Sequence, residues 1–232
     1  MKIAMVSEHA SPLAVLGGGV DAGGQNVHVA ELSAAMARRG HDVTVYTRRD
    51  DPDSPERVQT EHGYTVVHVP AGPAKQLPPK DQLLEHMSAF AQYLDQQWGI
   101  ERPPDVAHAH FWMSGIATQL AARAQSVPTV QTFHALGVVK RRHQGAQDTS
   151  PSARIKLEKL VATHATWVAA TCTDEVFELV RMGGRARTKI SVVPCGGVDL
   201  NTFSTEGPIA DRGARHRIVG WEGWCRERDS TR

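Results

Sequence analysis

Short apolar segments alternate with amphipathic helical segments along most of this chain. The short apolar segments cover residues 2–6, 42–47, 64–69, 105–109, 128–132, 167–170 and 190–193, and the second of them, DVTVYT, is rich in β-branched residues. Apolar residues at helical spacing cover residues 24–39, 81–98, 114–124, 153–163 and 174–182. Strands that alternate with helices form a parallel sheet covered by helices on both faces. The alternation therefore predicts a doubly wound α/β fold.

A long loop separates the first predicted strand from the first predicted helix. It runs through residues 7–22, and its second half is rich in glycine (LGGGVDAGG, residues 16–24). The N-terminus of a helix after such a loop offers backbone N–H groups to an anion. Ordered loops of this length are usually functional. We therefore expect a functional loop, the alternative being a solvated loop whose glycines only turn the chain.

Composition excludes several classes of protein. A net charge of +1 argues against a nucleic-acid-binding protein, and no apolar run reaches the length of a membrane span. The N-terminus turns polar after six residues, too early for a signal peptide. Three cysteines, Cys172, Cys195 and Cys225, have unrelated spacings, which predicts no disulfide framework and a cytoplasmic location. Cys172 and Cys195 are interpreted as small buried apolar residues.

Polar side chains follow several of the predicted strands. In a doubly wound sheet the ligand lies at the carboxyl ends of the strands, near the point where strand order reverses. His110 and His134 follow two neighbouring strands of the chain. His134 is the strongest single candidate, because an imidazole can donate or accept a proton near neutral pH. Its alternative is a histidine buried in the core.

Three further patterns have two interpretations each. His108 and His110 resemble a metal-binding pair, but no third ligand of matching spacing follows, so no metal site is expected. Thr173 is interpreted as a helix N-cap, with Glu175 and Glu178 favourable near the helix start, and this pattern is either purely structural or part of a site. The basic run KRRH at residues 140–143 either binds phosphate or is a solvated charge run.

Four segments, in order, resemble the N-terminal half of a retaining GT-B glycosyltransferase of family 4. They are GGVDAGGQNVHVAELSAAMARRGHDVTVYTRR (18–49), DVAHAHFWMSG (105–115), QTFHALGVVKRRHQG (131–145) and VVPCGGVDLNTF (192–203). The family includes sucrose-phosphate synthases and the inositol-phosphate glycosyltransferase of mycothiol synthesis. The resemblance implies two Rossmann-like domains that face each other across a cleft, with the acceptor mainly on the N-terminal domain. The nucleotide-sugar donor lies mainly on the C-terminal domain, and no further cofactor is implied.

The resemblance also assigns roles to residues of this sequence. It places Gly23 and Gly24 against the donor phosphates, with Gln25 and Asn26 beside the reacting centre. It places His134 near the transferred sugar, at a mouth shared with His110. For an acceptor phosphate it points to Arg154 and, more loosely, to Lys80. Two departures concern that acceptor: Phe111 and Ala135 stand where the inositol-phosphate enzymes carry a tyrosine and a threonine. Two hydroxyl groups that would bond inositol phosphate are therefore missing, which argues against inositol phosphate as the acceptor.

The resemblance ends near residue 213, and the remaining sequence suggests a reason. We expect a domain over residues 1–204 and a linker with a poorly ordered tail over residues 205–232. In the family, an arginine and a lysine in a motif of the type VGRLVPRKG stabilise the leaving phosphate. The tail reads GWEGWCRERDSTR from Gly220 and lacks this motif. Tryptophan has the single codon TGG, and a reading frame that starts at the last base of the Gly220 codon can spell VGRLVPRKGLDT.

Two hypotheses follow for function. The intact gene encodes a retaining transferase that moves a sugar from a nucleotide donor to a small polar or phosphorylated acceptor, and one base was lost near the Gly220 codon. Alternatively, the chain is a non-catalytic remnant that binds acceptor or phosphate at most. A nicotinamide dehydrogenase or an epimerase fits poorly, because the glycines come late after a long loop.

Overall fold

The computed structural model describes residues 1–14, 23–74 and 80–196 of the 232-residue chain. In these ranges the strands are β1 (Lys2–Val6), β2 (Asp42–Arg48), β3 (Arg57–Gln59), β4 (Thr65–Val69), β5 (Val106–His110), β6 (Thr129–Thr132), β7 (Trp167–Ala170) and β8 (Ile190–Val192). The helices there are α1 (Gly24–Arg38), α2 (Met87–Ile100), α3 (Trp112–Gln125), α4 (Gly137–Gln144), α5 (Arg154–His164) and α6 (Thr173–Arg181). A 3-10 helix, Lys80–His86, leads into α2.

The strands form one sheet in the order β3-β4-β2-β1-β5-β6-β7-β8. All neighbours pair in parallel except β3, which runs antiparallel to β4. The chain leaves β1 toward β2 and β4 on one side and later resumes at β5 on the other side of β1. The reversal of strand order therefore lies between β1 and β5, where doubly wound folds place their ligands.

Residues of β1 alternate between the two faces of the sheet, as the period of a strand requires. Ile3 and Met5 pack in a cluster with Val29 of α1, whereas Ala4 and Val6 pack in a larger cluster with residues of α2 and α3. The larger cluster contains the buried rings of Phe90, Trp98 and Trp112. The predicted α/β fold with a mostly parallel sheet is confirmed.

Some local predictions were wrong. The three-residue edge strand β3 and the helix α4 were not predicted, and the predicted helix at residues 81–98 begins as a 3-10 helix. Cys172 and Cys195 are exposed rather than buried. Cys172, not Thr173, is the N-cap of α6. The helix start is instead held by the Glu175 carboxylate, which accepts hydrogen bonds from the amide and hydroxyl groups of Thr171.

Residues Met1–Cys195 form one compact unit. A second unit, Gly196–Arg232, lies outside the described residues apart from Gly196, so the predicted boundary at residue 204 and the predicted poorly ordered tail stay predictions. The glycines at residues 17–19 are likewise outside the described ranges. Within those ranges, the helices are all too short or too polar to cross a lipid bilayer.

Candidate active site

Three neighbouring strands bring polar side chains to the carboxyl edge of the sheet. Strand β1 continues into Ser7, Glu8 and His9, β5 ends at His110, and β6 is followed by Phe133 and His134. Because β1, β5 and β6 are adjacent in the sheet, these strand ends lie together at the reversal point. The edge predicted from the sequence to carry a site therefore carries one cluster of polar groups.

A group of three imidazole rings is the centre of this cluster. His110 Nδ1 lies 3.0 Å from His134 Nε2. The ring of His28, from α1, lies 5.1 Å from the His134 ring, centroid to centroid. One nitrogen from each of the three rings lies within 4.8 Å of the other two. We call His28, His110 and His134 the histidine cluster.

Burial lowers the pKa values of two members of the histidine cluster, His110 and His28. His110 is fully buried, and burial lowers its pKa well below the ordinary value, with a further lowering from the neighbouring histidines. Burial also lowers the pKa of the half-buried His28, although a contact with the Cys195 carbonyl opposes the shift. Uncharged imidazoles can accept a proton, donate one or bind an electrophile.

His108 does not join the histidine cluster, although it is two residues from His110 on the same strand. Its Nε2 lies 2.8 Å from the Thr132 hydroxyl, which occupies its polar edge. Burial lowers the pKa of His108 to about 3. The pair that the sequence suggested is thus split between a structural histidine and a site histidine.

Two residues have unusual backbone conformations at the carboxyl edge of the sheet that carries the histidine cluster, which we call the mouth of the domain. His134 has φ of 61°, and the amide of Ala135 donates to the carbonyl of Phe133 at 2.7 Å, so His134 is the centre of a three-residue γ-turn. Phe111, which precedes α3, has φ of 75° and ψ of 158°, a backbone conformation that residues other than glycine rarely adopt. Strained backbone of this kind concentrates at functional sites.

The N-terminus of α1 lies beside the histidine cluster, because His28 is in the first turns of that helix. Its first turn contains no acidic side chain, so the positive end of the helix dipole is not neutralised there. The Gly23 amide donates to Asn26 Oδ1, and Asn26 Nδ2 donates to the carbonyl of Ser11. Gln25 Nε2 donates to the hydroxyl of Ser7. Gln25 and Asn26 therefore tie the helix start to the segment after β1.

Arg154 is buried and already bonded on several sides. Its guanidinium donates to the Glu158 carboxylate at 2.7 Å, to the Ser150 hydroxyl at 3.1 Å and to the Ala135 carbonyl at 3.0 Å. The Glu158 carboxylate in turn accepts from the amide of Gly137 at 2.8 Å and 3.0 Å. Burial raises the pKa of Glu158, and Arg154 opposes that shift. The pair thus holds the segment after His134 in place.

A second buried carboxylate joins the end of β1 to the start of α3. Glu8 and Ser114 are fully buried. The Glu8 amide donates to the Ser114 hydroxyl at 2.9 Å, and that hydroxyl donates to the Glu8 carboxylate. His9 Nδ1 lies 2.8 Å from the same carboxylate. The ring of Phe111 packs near His9, 5.0 Å from its centroid.

Lys80 and the basic run KRRH are the remaining predicted site residues. Lys80 begins the 3-10 helix, and its side chain lies outside the described part of the chain. The basic run KRRH belongs to α4, where Lys140 lies 3.3 Å from Asp148 and Arg142 lies 2.9 Å from Glu178. These ion pairs agree with a surface charge run. A phosphate-binding role stays a prediction for both Lys80 and α4.

Residues 23–196 match the family model described as "Glycosyl transferase 4-like domain". The chain belongs to this family. The match runs from the N-cap of α1, Gly23, to Gly196, so the histidine cluster is part of a glycosyltransferase 4-like domain.

Curated relatives extend the comparison. The chain is 39% identical over 215 residues to a D-inositol 3-phosphate glycosyltransferase of Xylanimonas cellulosilytica, over 89% of this chain and 50% of the relative. A D-inositol 3-phosphate glycosyltransferase of Kineococcus radiotolerans is 38% identical over 222 residues, covering 94% of this chain and 50% of the relative. The chain thus spans about half the length of the curated relatives it matches.

Solved structures show the same domain. A sucrose-phosphate synthase from Thermosynechococcus elongatus superposes with a TM-score of 0.80 at 28% identity, over 90% of this chain and 51% of that one. The Anabaena protein HepE, solved with UDP-glucose, superposes with a TM-score of 0.56 at 16% identity, over 89% of this chain and 46% of that one. The second likeness concerns the fold alone. The glycosyltransferase 4-like domain therefore matches the N-terminal half of GT-B structures.

Sequence reasoning missed His28 and the Glu8–Ser114 pair. His28 lies one helical turn beyond Gly24, and this spacing places it on the same side of α1 as the predicted anion site. That spacing was the available signal for His28. Glu8 and Ser114 are 106 residues apart in sequence, and only the pairing of β1 with β5 brings them together.

Proposed function

We propose that this domain is the acceptor-side half of a retaining glycosyltransferase. The enzyme transfers a sugar from a nucleotide donor to a small polar or phosphorylated acceptor. The observation that carries the proposal is the junction of two features linked by His28: the N-terminus of α1, whose first turn carries no acidic side chain, and the histidine cluster. An anion-binding helix end beside imidazoles suits a diphosphate leaving group next to a sugar.

The physical reason concerns the charge that develops during transfer. As the bond between sugar and diphosphate breaks, negative charge grows on the leaving phosphate, and preorganised backbone N–H groups lower the barrier. Gly23 and Gly24 are proposed to face that phosphate. His134, held by its γ-turn, is proposed to orient the transferred sugar by a hydrogen bond. Gln25 and Asn26 support this geometry by fixing the helix start.

The acceptor is proposed to be a small polar or phosphorylated molecule, as the name of the D-inositol 3-phosphate relatives suggests. Phe111 and Ala135 lack the hydroxyls that the inositol-phosphate enzymes carry there. Phe111 is also buried under the Arg154 guanidinium, whose carbon lies 5.2 Å from the ring centroid. Arg154 supports the acceptor pocket through Ala135 and Glu158. A direct phosphate contact by Arg154 and Lys80 remains part of the proposal.

A second, donor-binding lobe is proposed to be encoded in the shifted frame after the Gly220 codon. The support is that the codons allowed by the tail can spell VGRLVPRKGLDT in that frame, and that this chain covers only 50% of the length of the two relatives. The arginine and lysine of this motif would supply the cations that stabilise the leaving diphosphate. The residues that these codons encode, 220–232, lie outside the described residues.

The test begins with the DNA downstream of the Gly220 codon and continues with the frame-restored protein. We expect an open frame of domain length, and a product that releases nucleotide from a nucleotide sugar when a sugar or sugar-phosphate acceptor is added. Replacement of His134 with alanine should lower kcat by about 100-fold, the usual cost of one stabilising donor. An immediate stop in the shifted frame, or a restored protein without nucleotide release, would overturn the proposal.

A second candidate function applies to the 232-residue chain by itself. Because it spans about half of each relative, the chain alone is proposed to bind an acceptor or phosphate without turnover. Nucleotide release is measured with the 232-residue chain alone under the same conditions. Release well beyond one equivalent per chain would refute the binding-only role.

A further inference from the structure

The histidine cluster has the composition of a metal site. Its members come from three elements: His28 from α1, His110 from the end of β5 and His134 from the turn after β6. The sequence paired His110 with His108 and predicted no metal site, whereas the fold places His28 and His134 beside His110 instead. Three imidazoles with an open fourth position are a known ligand set for Zn²⁺ and related divalent ions.

The distances suit a small ion. Zn²⁺ binds histidine nitrogen at about 2.0–2.1 Å, which puts two ligand nitrogens of a tetrahedron about 3.3 Å apart. His110 Nδ1 and His134 Nε2 lie 3.0 Å apart, so an ion can replace the proton that these nitrogens share. The His28 nitrogen lies within 4.8 Å of both. His28 is half-buried on a helix surface, and rotation of its side chain can close the remaining gap.

Burial fixes one ligand and leaves the others adjustable. His110 is fully buried, and its Nε2 has no hydrogen-bond partner in the described part of the chain. The polar contact that this ring makes is the one into the cluster. His28 and His134 are partly exposed, which leaves a path for an ion from solvent.

Cys195 lies near the Nδ1 atoms of both His28 and His134. His28 Nδ1 lies 3.5 Å from the Cys195 carbonyl oxygen, and His134 Nδ1 lies 4.0 Å from the Cys195 sulfur. Ligating histidines commonly hold their second nitrogen against a carbonyl or another acceptor, which orients the ring. Cys195 is thus placed to orient two of the three ligands.

From this geometry we propose that His28, His110 and His134 form a site for Zn²⁺, or a similar divalent transition-metal ion, at the mouth of the domain. The ion takes one nitrogen from each ring and completes its coordination with water or a substrate oxygen. Because the site occupies the mouth, bound metal and a sugar compete for the same side chains. The metal site needs no transfer activity and is tested without it.

The test uses the 232-residue chain without an affinity tag, in buffer stripped of chelators. Zn²⁺ binding is measured by competition with a chromophoric chelator, and Co²⁺ is added separately as an absorbing probe. We expect one ion per chain, together with the intense visible bands of four- or five-coordinate Co²⁺ bound to nitrogen. Faint absorption of the octahedral aquo ion, or no stoichiometric binding, would overturn the proposal.

Two variants and one control assign the ligands. His28→Gln is the main variant, because this partly exposed side chain can be changed with little effect on the core. Loss of a ligand should weaken Zn²⁺ binding by about 100-fold or more, since even loss of a supporting group costs about 10- to 100-fold. His134→Gln should have the same effect. His62→Gln changes an exposed histidine outside the cluster and should leave the affinity unchanged.

The outcomes separate the metal site from other binding. Thermal melts establish that each variant is folded before its affinity is compared. If His28→Gln and His134→Gln both bind Zn²⁺ as tightly as the unchanged chain, the ion lies elsewhere and the proposal is wrong. If only those two variants lose the Co²⁺ bands, the histidine cluster is the site.

Discussion

At the scale of residues, positive backbone φ angles place the two aromatic side chains that shape the mouth. His134 and Phe111 both adopt conformations that cost roughly 1–3 kcal/mol each and persist where surrounding contacts enforce them. The enforcing contacts are visible: the Phe111 carbonyl accepts from Gln131 Nε2 at 3.0 Å, and its amide donates to the Thr132 carbonyl at 2.8 Å. Part of the favourable free energy of folding therefore offsets the backbone strain at the site residues.

Gly23 offers a residue-scale test of the anion site. A Cβ atom built on Gly23 meets nothing within 4 Å, and its φ of −135° suits any residue. Gly23→Ala should therefore leave the melting temperature unchanged. If a donor phosphate lies against Gly23 in the frame-restored protein, the added methyl group should push the phosphate away from the helix start. Nucleotide-sugar binding should then weaken by about 10-fold or more, because the displaced phosphate loses at least one charge-assisted hydrogen bond. Isothermal titration with a panel of nucleoside diphosphate sugars measures the change.

The control for Gly23→Ala is Gly99→Ala in α2. A Cβ atom at Gly99 would lie 3.6 Å from Gln125 Nε2, an ordinary contact. Gly99 lies near the end of α2, a helix that contributes no residue to the histidine cluster. This variant should keep full affinity. Equal affinities for Gly23→Ala and the unchanged protein would remove Gly23 from the proposed phosphate contact.

At the scale of elements, α3 packs closely against β6 and α5 through one glycine. A Cβ atom on Gly115 would lie 2.3 Å from Gln131 Oε1 and 2.6 Å from Val161 Cγ1. Gln131 cannot move away easily, because its Nε2 donates to the carbonyls of both Phe111 and Thr132. The close approach of helix and sheet therefore depends on the absence of a side chain at residue 115.

Gly115→Ala should lower the free energy of unfolding by about 1–3 kcal/mol, the usual cost of forcing an extra methyl group into a packed interior. Urea unfolding followed by circular dichroism measures the change, again with Gly99→Ala as the control. The alanine at residue 99 should leave the midpoint unchanged or raise it slightly, since alanine favours a helix more than glycine does. A Gly115→Ala midpoint equal to that of the unchanged chain would contradict this packing argument.

The elements also show how far sequence patterns reach. Strands such as β2 were predictable because buried parallel strands are continuous runs of β-branched residues. The helix α4 was missed because its polar run, VVKRRHQ, has little apolar periodicity, and β3 was missed because three residues carry almost no pattern. At the site, strand ends predicted His110 and His134. The spacing of His28 from Gly24 indicates its side of α1 but not its neighbours on β5 and β6, and the pairing of Glu8 with Ser114 depends on segments 106 residues apart.

At the scale of the whole molecule, all three tyrosines have raised pKa values. Burial is the largest cause for each, and it raises the pKa of Tyr46 to about 12; the pKa values of Tyr64 and Tyr93 are also raised. In the unfolded chain a tyrosine loses its proton near pH 10. Between these values the unfolded state binds fewer protons than the folded state, so stability falls as pH rises.

The free energy of unfolding should therefore be constant with respect to tyrosine ionisation below about pH 10 and fall above it. Tyr46 alone contributes a loss of about 1.4 kcal/mol per pH unit between about pH 10 and 12. Tyr46→Phe removes this group and should make the fall less steep. Urea unfolding from pH 8 to 11, with tyrosinate absorbance recorded in parallel, measures both effects. An identical slope for Tyr46→Phe and the unchanged chain would show that Tyr46 ionises equally easily in both states.

The two ends of the sheet have one further consequence. Both terminal strands, β3 and β8, are only three residues long, and β3 runs against its neighbour. Long, flat edge strands pair with other chains through their free backbone groups, whereas short edge strands offer few groups for amyloid-like pairing. This lobe should therefore stay dispersed at the high concentrations that nuclear magnetic resonance requires, so the imidazole protons of its mouth can be observed directly in solution.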